Sequence, residues 1–281
     1  MRHFTRTVAI DWSGAKGSRH KGIAIAEARA GAPPRLVRPE HVWSRAEVSE
    51  WLLREAAKEP TLFGFDFSFA PPLIERGAYL PGEDVPTNAC DFWAYVDARC
   101  DDVDLGAASF LEIAHRKHFY FGIADGVKAD FVFFRQCDQR LNELGGRKTT
   151  SAYDAIGAAQ VAKASFSGMR LLHHLVGQVV VWPIDELCEG HSAVVEIYTR
   201  IYIRNAGLSG KKIRTTAELN QALVALGSLP VTLRKTPTDH QTDALVTAVG
   251  MLAHLAHPDA FDPPGLTPAI ARTEGWTFGI I

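Results

Sequence analysis

The sequence predicts an α/β fold built on a mixed β-sheet flanked by helices, and three observations carry that expectation. Residues Leu62 to Phe69 alternate with period two, placing Phe63, Phe65, Phe67 and Phe69 on one side and Leu62, Gly64, Asp66 and Ser68 on the other. That is the periodicity of a strand, not of a helix. Two capping-box patterns, Ser44 with Glu47 and Thr238 with Gln241, mark helix starts. Strand-like and helix-like segments interleave along the chain, the ordering expected when helices cover the faces of a sheet.

Val8–Trp12 reads as the first strand. A polar, glycine-containing turn over 13–21 leads to a second strand predicted over Gly22–Glu27, and Ala30-Gly31-Ala32-Pro33-Pro34 forms a loop before a third, predicted over Leu36–Trp43. The helix that Ser44 caps is expected over Arg45–Lys58, with Val48, Trp51, Leu52 and Ala56 on one face. Pro60 separates it from the fourth, period-two strand, and Pro71-Pro72 ends that strand because proline donates no ladder hydrogen bond. Residues 73–177 are expected to form a long, mostly helical insertion, with helices over Asn88–Cys100, Ala107–Lys117, Asp130–Leu144 and Ala152–Val176. Strands are expected again over Gln178–Trp182 and Ser192–Thr199, followed by a helix near Ala217–Leu226 and a last long helix from Thr238. No repeat, low-complexity segment or linker interrupts this pattern, so the 281 residues are expected to form one domain with the insertion inside it.

Composition narrows the class. The apolar fraction of 47% and charged fraction of 22% are those of an ordinary globular protein. Net charge is 30 minus 32, or −2, which argues against an autonomous grip on nucleic acid while leaving room for a local basic groove. Lys211-Lys212-Ile213-Arg214 and Arg234-Lys235 are the compact basic candidates, each also readable as a solvated loop. Cys90, Cys100, Cys137 and Cys188 include no C-x-x-C pair, which speaks against structural zinc and for free thiols in a reducing cytoplasm. No signal peptide is expected after Met1-Arg2-His3-Phe4-Thr5-Arg6, and no apolar run reaches the roughly 20 residues that span a bilayer, so no membrane partner is expected.

The chemistry-bearing residues are acids in apolar company. Asp11 ends Val8-Ala9-Ile10, Asp66 sits inside Phe63-Gly64-Phe65-Asp66-Phe67, Glu196 follows Ala193-Val194-Val195, and Asp243 opens the apolar stretch Ala244–Val249. An unpaired carboxylate in such surroundings is costly and would rather be protonated. Several of them at strand ends therefore point to a shared cation. Oxygen ligands suit Mg²⁺ or Mn²⁺, and two such ions support phosphodiester hydrolysis by activating water and stabilising the leaving oxygen. Each acid also has a structural alternative. Asp11 is suited to the turn at Ser13-Gly14, Glu196 to an ion pair with Arg200 or Arg204, and Asp239 to the helix dipole at the first helical position. Asp243 lies one turn after Asp239, near the same face, and is the stronger candidate of the two. For Asp66 no turn offers an explanation before Pro71.

Val8-Ala9-Ile10-Asp11-Trp12-Ser13-Gly14, Phe65-Asp66-Phe67-Ser68-Phe69-Ala70-Pro71-Pro72, Val194-Val195-Glu196-Ile197-Tyr198, Asp239-His240-Gln241-Thr242-Asp243-Ala244-Leu245 and a closing Glu274-Gly275-Trp276-Thr277-Phe278-Gly279 occur in that order. Together they resemble the domain-of-unknown-function family 429, described as predicted nucleases with an RNase H-like fold, across nearly the whole chain. The resemblance implies a five-stranded mixed sheet whose first three strands are antiparallel, with the insertion between the fourth and fifth strands. It implies acids on the first strand, the fourth strand and the last helix, positions that Asp11, Asp66 and Asp243 match, with Asp239 as a possible second helix acid. Glu196 matches the family's own Glu-x-Tyr motif. That motif continues with Pro in the family, and Thr199 stands there in this chain. The expectation is a metal-dependent nuclease that uses Mg²⁺ or Mn²⁺ on DNA or RNA. Asp11, Asp66, Glu196 and Asp243 are the expected ligands, and Asp239 an outer ligand or a group that orients water.

Two further readings are kept. An actin-like ATP-dependent phosphotransferase would use Ser13-Gly14 and Lys16 at a phosphate turn, but Asp66 is followed by Phe67-Ser68 without the glycine such a turn wants. A non-catalytic scaffold would bind a partner through the insertion and a metal, or nothing, through the acids. Elsewhere, Glu112-x-x-His115-x-x-His118 offers three ligands on one helical stripe but has no second Glu-x-x-His to complete a di-iron site, which favours an ordinary helix surface. His240, beside Asp239, is a candidate for positioning water or phosphate. Lys16 and Lys21 bracket the turn after Asp11 and could meet a phosphate.

Overall fold

A computed structural model describes residues 4–145, 149–156, 161–208 and 212–281. Its centre is a six-stranded mixed sheet in the order β3-β2-β1-β4-β6-β5. The strands are β1 (Arg6–Asp11), β2 (Ala24–Arg29), β3 (Arg35–Leu36), β4 (Thr61–Phe65), β5 (Val180–Val181) and β6 (Ala193–Glu196). β1, β2 and β3 form an antiparallel meander, while β4 runs parallel to β1, β6 to β4, and β5 to β6. The sheet thus has one strand more than the five implied by the resemblance. The extra strand is β5, a two-residue edge paired with β6 through Val180↔Ala193 and Val181↔Val194. It stops there because Trp182 is followed by Pro183, which offers no ladder N–H.

Eight α-helices accompany the sheet among the described residues: α1 (Arg45–Ala56), α2 (Ala89–Asp97), α3 (Gln136–Glu143), α4 (Val161–Leu175), α5 (Thr199–Asn205), α6 (Thr216–Ala225), α7 (Asp239–His254) and α8 (Pro268–Thr273). Both expected capping boxes are formed, Ser44–Glu47 at α1 and Thr238–Gln241 at α7. α7 lies on β1 and β2, and the Thr7 hydroxyl on β1 donates 2.7 Å to the Ala248 carbonyl of α7.

Alternation along β4 assigns each side chain to one of two cores. Phe63, Phe65, Phe67 and Phe69 join Val8, Ile10 and Ile25 in a layer with Trp43, Trp51, Phe92 and Phe166, on the side of α1, α2 and α4. Leu62 joins Ala9, Ala26 and Val195 in the other layer, with Tyr202, Leu223, Leu245, Val249 and Phe278. On this second side Gly64 has a packing role, because a β-carbon there would stand 2.6 Å from Ile197 Cγ2 and 2.7 Å from Met251 Sδ.

Several boundaries differ from the sequence-based expectation. The fourth strand, expected to run to Phe69 and end at Pro71-Pro72, ends at Phe65; beyond it Ser68 N–H donates to Ser165 Oγ and Phe69 N–H to Glu196, so side chains and not a neighbouring strand take these amides. The third strand, expected over Leu36–Trp43, is only Arg35–Leu36. Arg38 takes φ +48°, Pro39 follows without an N–H, and pairing resumes only as the single His20↔Trp43 bridge. The segment expected to be helical over Ala107–Lys117 contains a π-helical turn, Phe110–Ala114, and a 3₁₀ turn, Arg116–His118. The helix expected from Ala152 is described from Val161, with 157–160 outside the described residues. Before it, Ser151–Ala155 is a buried loop: Tyr120 N–H donates to the Tyr153 carbonyl, Ala155 N–H to the Tyr120 carbonyl, and the Tyr153 hydroxyl to Tyr79 O at 2.7 Å. The segment 73–177 is therefore helical only in parts. The final strand gives way at Tyr198 to α5, whose first residue is Thr199.

Replacing Gly64 with Val is expected to lower unfolding stability by about 1–3 kcal/mol through overpacking against Ile197 and Met251. Urea denaturation of the two proteins checks this, and an unchanged midpoint would show that the α7 layer yields freely.

Candidate active site

β1 and β4 are parallel neighbours in the register Ile10↔Phe65. Asp11 ends β1 and Asp66 directly follows β4, with Asp66 N–H donating 3.2 Å to the Ile10 carbonyl. The two acids thus leave adjacent strand ends together. Asp243, in the second turn of α7, joins them because that helix lies across β1 and β2. This is the carboxyl end of the parallel strands, the usual location of binding sites in open α/β sheets. All three acids are partly open to solvent.

Burial governs their electrostatics first, and for Asp66 and Asp243 like charges add to it. Burial pushes the Asp66 carboxyl well above the usual range, and the charges of Asp11, Asp243 and Glu196 push the same way against Arg200. Burial raises Asp243 to about 7, reinforced by Asp11 and Asp239 and opposed by His240 and Lys212. Burial also raises Asp11, against a hydrogen bond and charge from His240. His240 Nδ1 lies 3.2 Å from Asp11 Oδ2, and that bond raises the imidazole, as do the charges of Asp11, Asp243 and Asp239. The ring is half exposed. Its Nε2 would lie 3.5 Å from a β-carbon at Gly22, as Ser13 Oγ would at 3.3 Å, so His240 and the turn after β1 share one small space.

The other two predicted acids are placed differently. Glu196 ends β6 and is 3% exposed. Both its oxygens are engaged: Arg135 Nη1 and Nη2 donate at 2.6 Å each, the Thr277 hydroxyl at 2.6 Å and Phe69 N–H at 2.8 Å. Arg135, itself buried, also holds Asp138 at 3.0 Å. Glu196 acts on the site through its charge on Asp66, while its carboxylate clamps the strand end to the chain's closing segment. Asp239 is 58% exposed and paired with Lys212 Nζ at 2.8 Å; that hydrogen bond holds its carboxyl below the usual range. Of the basic run that contains Lys212, Lys211 lies outside the described residues.

The Glu112–His115–His118 stripe does not form, because its segment is not a regular α-helix. Glu112 pairs with Lys16 at 2.6 Å and Lys163 at 3.3 Å, whereas His115 and His118 each approach Glu83 at 2.7 Å. Cys90, Cys100, Cys137 and Cys188 are free thiols, as expected.

Hard carboxylate oxygens that repel one another are the donor set a divalent cation satisfies. In the conformation described, however, the acids are near enough to repel but not to chelate: among the described residues no three His, Cys, Asp or Glu side chains form a group that could hold a metal ion. The donor chemistry fits a cation, and closing a shell around one requires side-chain movement. Also among the described residues, no helix is long and apolar enough to cross a membrane. Comparison with protein-family models, with curated proteins and with solved structures finds no match.

The raised Asp243 has a consequence for stability. Between its ordinary value of 3.8 and about 7, the folded state holds a proton that the unfolded state releases. Stability contributed by the protonated carboxyl is therefore present below about pH 4 and is lost as pH rises towards 7. In chelator-containing buffer, Asp243→Asn is expected to flatten that decline and to raise unfolding free energy at pH 7.5 by about 1–3 kcal/mol. Urea melts across the pH range test this; an Asn variant less stable than wild type at pH 7.5 would contradict it.

Proposed function

We propose that the protein is a metal-dependent phosphodiesterase acting on nucleic acid, built on an RNase H-like core. The observation that carries the reading is the meeting of Asp11, Asp66 and Asp243 at the ends of two parallel strands and the start of the helix across them, where burial raises all three carboxyls and Asp11 further raises both Asp66 and Asp243. The strand order supports the fold part of the proposal. An antiparallel β3-β2-β1, followed by β4 and β6 parallel to β1, makes five strands of the implied kind, with β5 as an added edge.

In this reading Asp11, Asp66 and Asp243 hold Mg²⁺ or Mn²⁺, drawn inward from their present separation. When bound, such an ion supplies Lewis-acid polarisation of the phosphoryl oxygens and neutralises charge that develops in the transition state. The chain's own groups do the rest. Asp11 fixes the His240 ring through Nδ1, which leaves Nε2 facing Ser13 and Gly22 to hold or pass a proton. Glu196 keeps negative potential beside Asp66 without giving up its own hydrogen bonds. Asp239 is paired with Lys212 and exposed, so it stands outside the three-carboxylate centre and acts on it only through its charge on Asp243.

Purified protein with Mn²⁺ is expected to cleave single- or double-stranded oligonucleotides. Asp66→Asn and Asp11→Asn should lower the rate at least roughly 10²-fold, and Asp239→Asn should stay within about tenfold. Cleavage that survives Asp66→Asn undiminished would sink the proposal.

A further inference from the structure

Against the turn that follows β1 lies a cavity of about 220 Å³, lined by Gly14–Gly17, by Asp102, Val103 and Gly106–Ala108, and by Lys163 on α4; the Asp102 carboxylate accepts from the Ser109 N–H and hydroxyl. By the same measure a single water needs about 10–15 Å³, so the cavity has room for a polyatomic ligand.

Two buried arginines shape its walls. Arg45, 0% exposed, donates to Ser13 O at 3.0 and 2.7 Å, to Ala15 O at 2.7 Å and to Asp104 O at 2.9 Å. Arg170 donates to Asp102 O at 3.1 Å and Gly106 O at 2.5 Å. A trans peptide places its N–H opposite its C=O. With the Ser13 and Ala15 carbonyls held by Arg45, the N–H groups of Gly14 and Lys16 are turned away from that arginine, on the loop that lines the cavity. Among the described residues neither has a hydrogen-bond acceptor. The intervening Ala15 N–H donates to Ser13 Oγ at 3.3 Å, so Gly14 and Lys16 carry the two backbone donors of the turn that remain for an anion.

The loop cannot retreat from α4. A β-carbon at Gly14 would stand 2.3 Å from Ala164 N, so only glycine allows this approach, which brings Lys16 and Lys163 to one cavity. Both lysines are bridged by a single carboxylate, Glu112, at 2.6 and 3.3 Å. Glu112 is 29% exposed and Lys16 64%. The bridge is therefore accessible, and an incoming anion can take its place.

We propose that this cavity is a phosphate subsite, with Lys16, Lys163 and the amides of Gly14 and Lys16 as its donors and Glu112 as a displaceable internal counter-ion. Because the loop leads directly from Asp11 and shares space with His240, the phosphate it takes is one in a nucleic-acid strand, next to the phosphodiester presented to the acids. That identification of the source rests on the phosphodiesterase reading. Phosphate binding itself rests on the cavity alone.

The test is a titration of the full-length, metal-free protein with inorganic phosphate in chelator, followed by amide NMR shifts and calorimetry. The expected result is saturable shifts at Gly14 and Lys16. Glu112→Gln should tighten binding roughly two- to fivefold, the scale on which an exposed ion pair competes. Lys163→Met and the exposed Lys16→Met should each weaken it roughly tenfold. No shift at those amides in wild type and Glu112→Gln, or binding that neither lysine variant changes, would overturn the subsite. A short DNA oligonucleotide should displace the bound phosphate; failure to do so would overturn the strand assignment. Asp66→Asn should leave phosphate binding intact, so a protein that binds phosphate but cleaves nothing separates failure of the function from failure of the subsite.

Discussion

The site follows from one constraint: like charges cannot stay close in a poorly solvated place without either a proton or a counter-ion. β1 and β4 run parallel and end side by side, so Asp11 and Asp66 are adjacent by topology, and α7 adds Asp243 over them. His240 provides a partial counter-charge through Asp11 and does not reach a comparable bond with Asp66 or Asp243. The carboxyls answer with raised pKa values, most directly Asp243 at about 7. A fold that needed only stability would place amides or apolar side chains at such positions, since exchanging buried charge for packed neutral residues is commonly neutral or favourable. Retaining three acids there costs stability, and that cost is the argument for a function.

Glu196 and Glu274 show what an acid does in this protein when its role is architectural. Glu196 receives donors from Arg135, Thr277 and Phe69. Glu274 accepts from the N–H groups of Leu73, Ile74 and Gln136 at 2.7–2.9 Å. Together they tie the closing segment to the loop after β4 and to the start of α3. Removing a donor from such a buried, fully paired carboxylate would leave an uncompensated charge. The contrast with the under-paired Asp11, Asp66 and Asp243 is what separates the candidate site from its supports.

Much of this was legible in the sequence where local patterns decide the outcome. The period-two run located β4 and sorted its faces, although it carried the strand to Phe69 where pairing ends at Phe65, and both capping boxes located helix starts, because each depends on residues within a few positions. The acids at Asp11, Asp66 and Asp243 stood out because charge inside an apolar run conflicts with burial. What could not be read depended on distant partners or on backbone conformation. Arg135, which occupies Glu196, comes from the loop before α3, 61 residues earlier, and no spacing rule joins the two. Arg45, which shapes the turn after Asp11, read only as the first residue of a helix. β3 was overestimated because the positive φ at Arg38 is invisible in composition. His240 was noticed for its neighbour Asp239, whereas its partner in the fold is Asp11.

The claim at the centre of this account is that Asp11, Asp66 and Asp243 together form a divalent-cation site. The most direct test is calorimetric titration of Mn²⁺ into the metal-free protein, with Asp66→Asn and Glu196→Gln beside wild type and circular dichroism melts to confirm that each is folded. The account predicts saturable Mn²⁺ binding in wild type, loss of that binding in Asp66→Asn, and retention in any Glu196→Gln protein that remains folded. Binding unaffected by Asp66→Asn, or none in wild type, would contradict it.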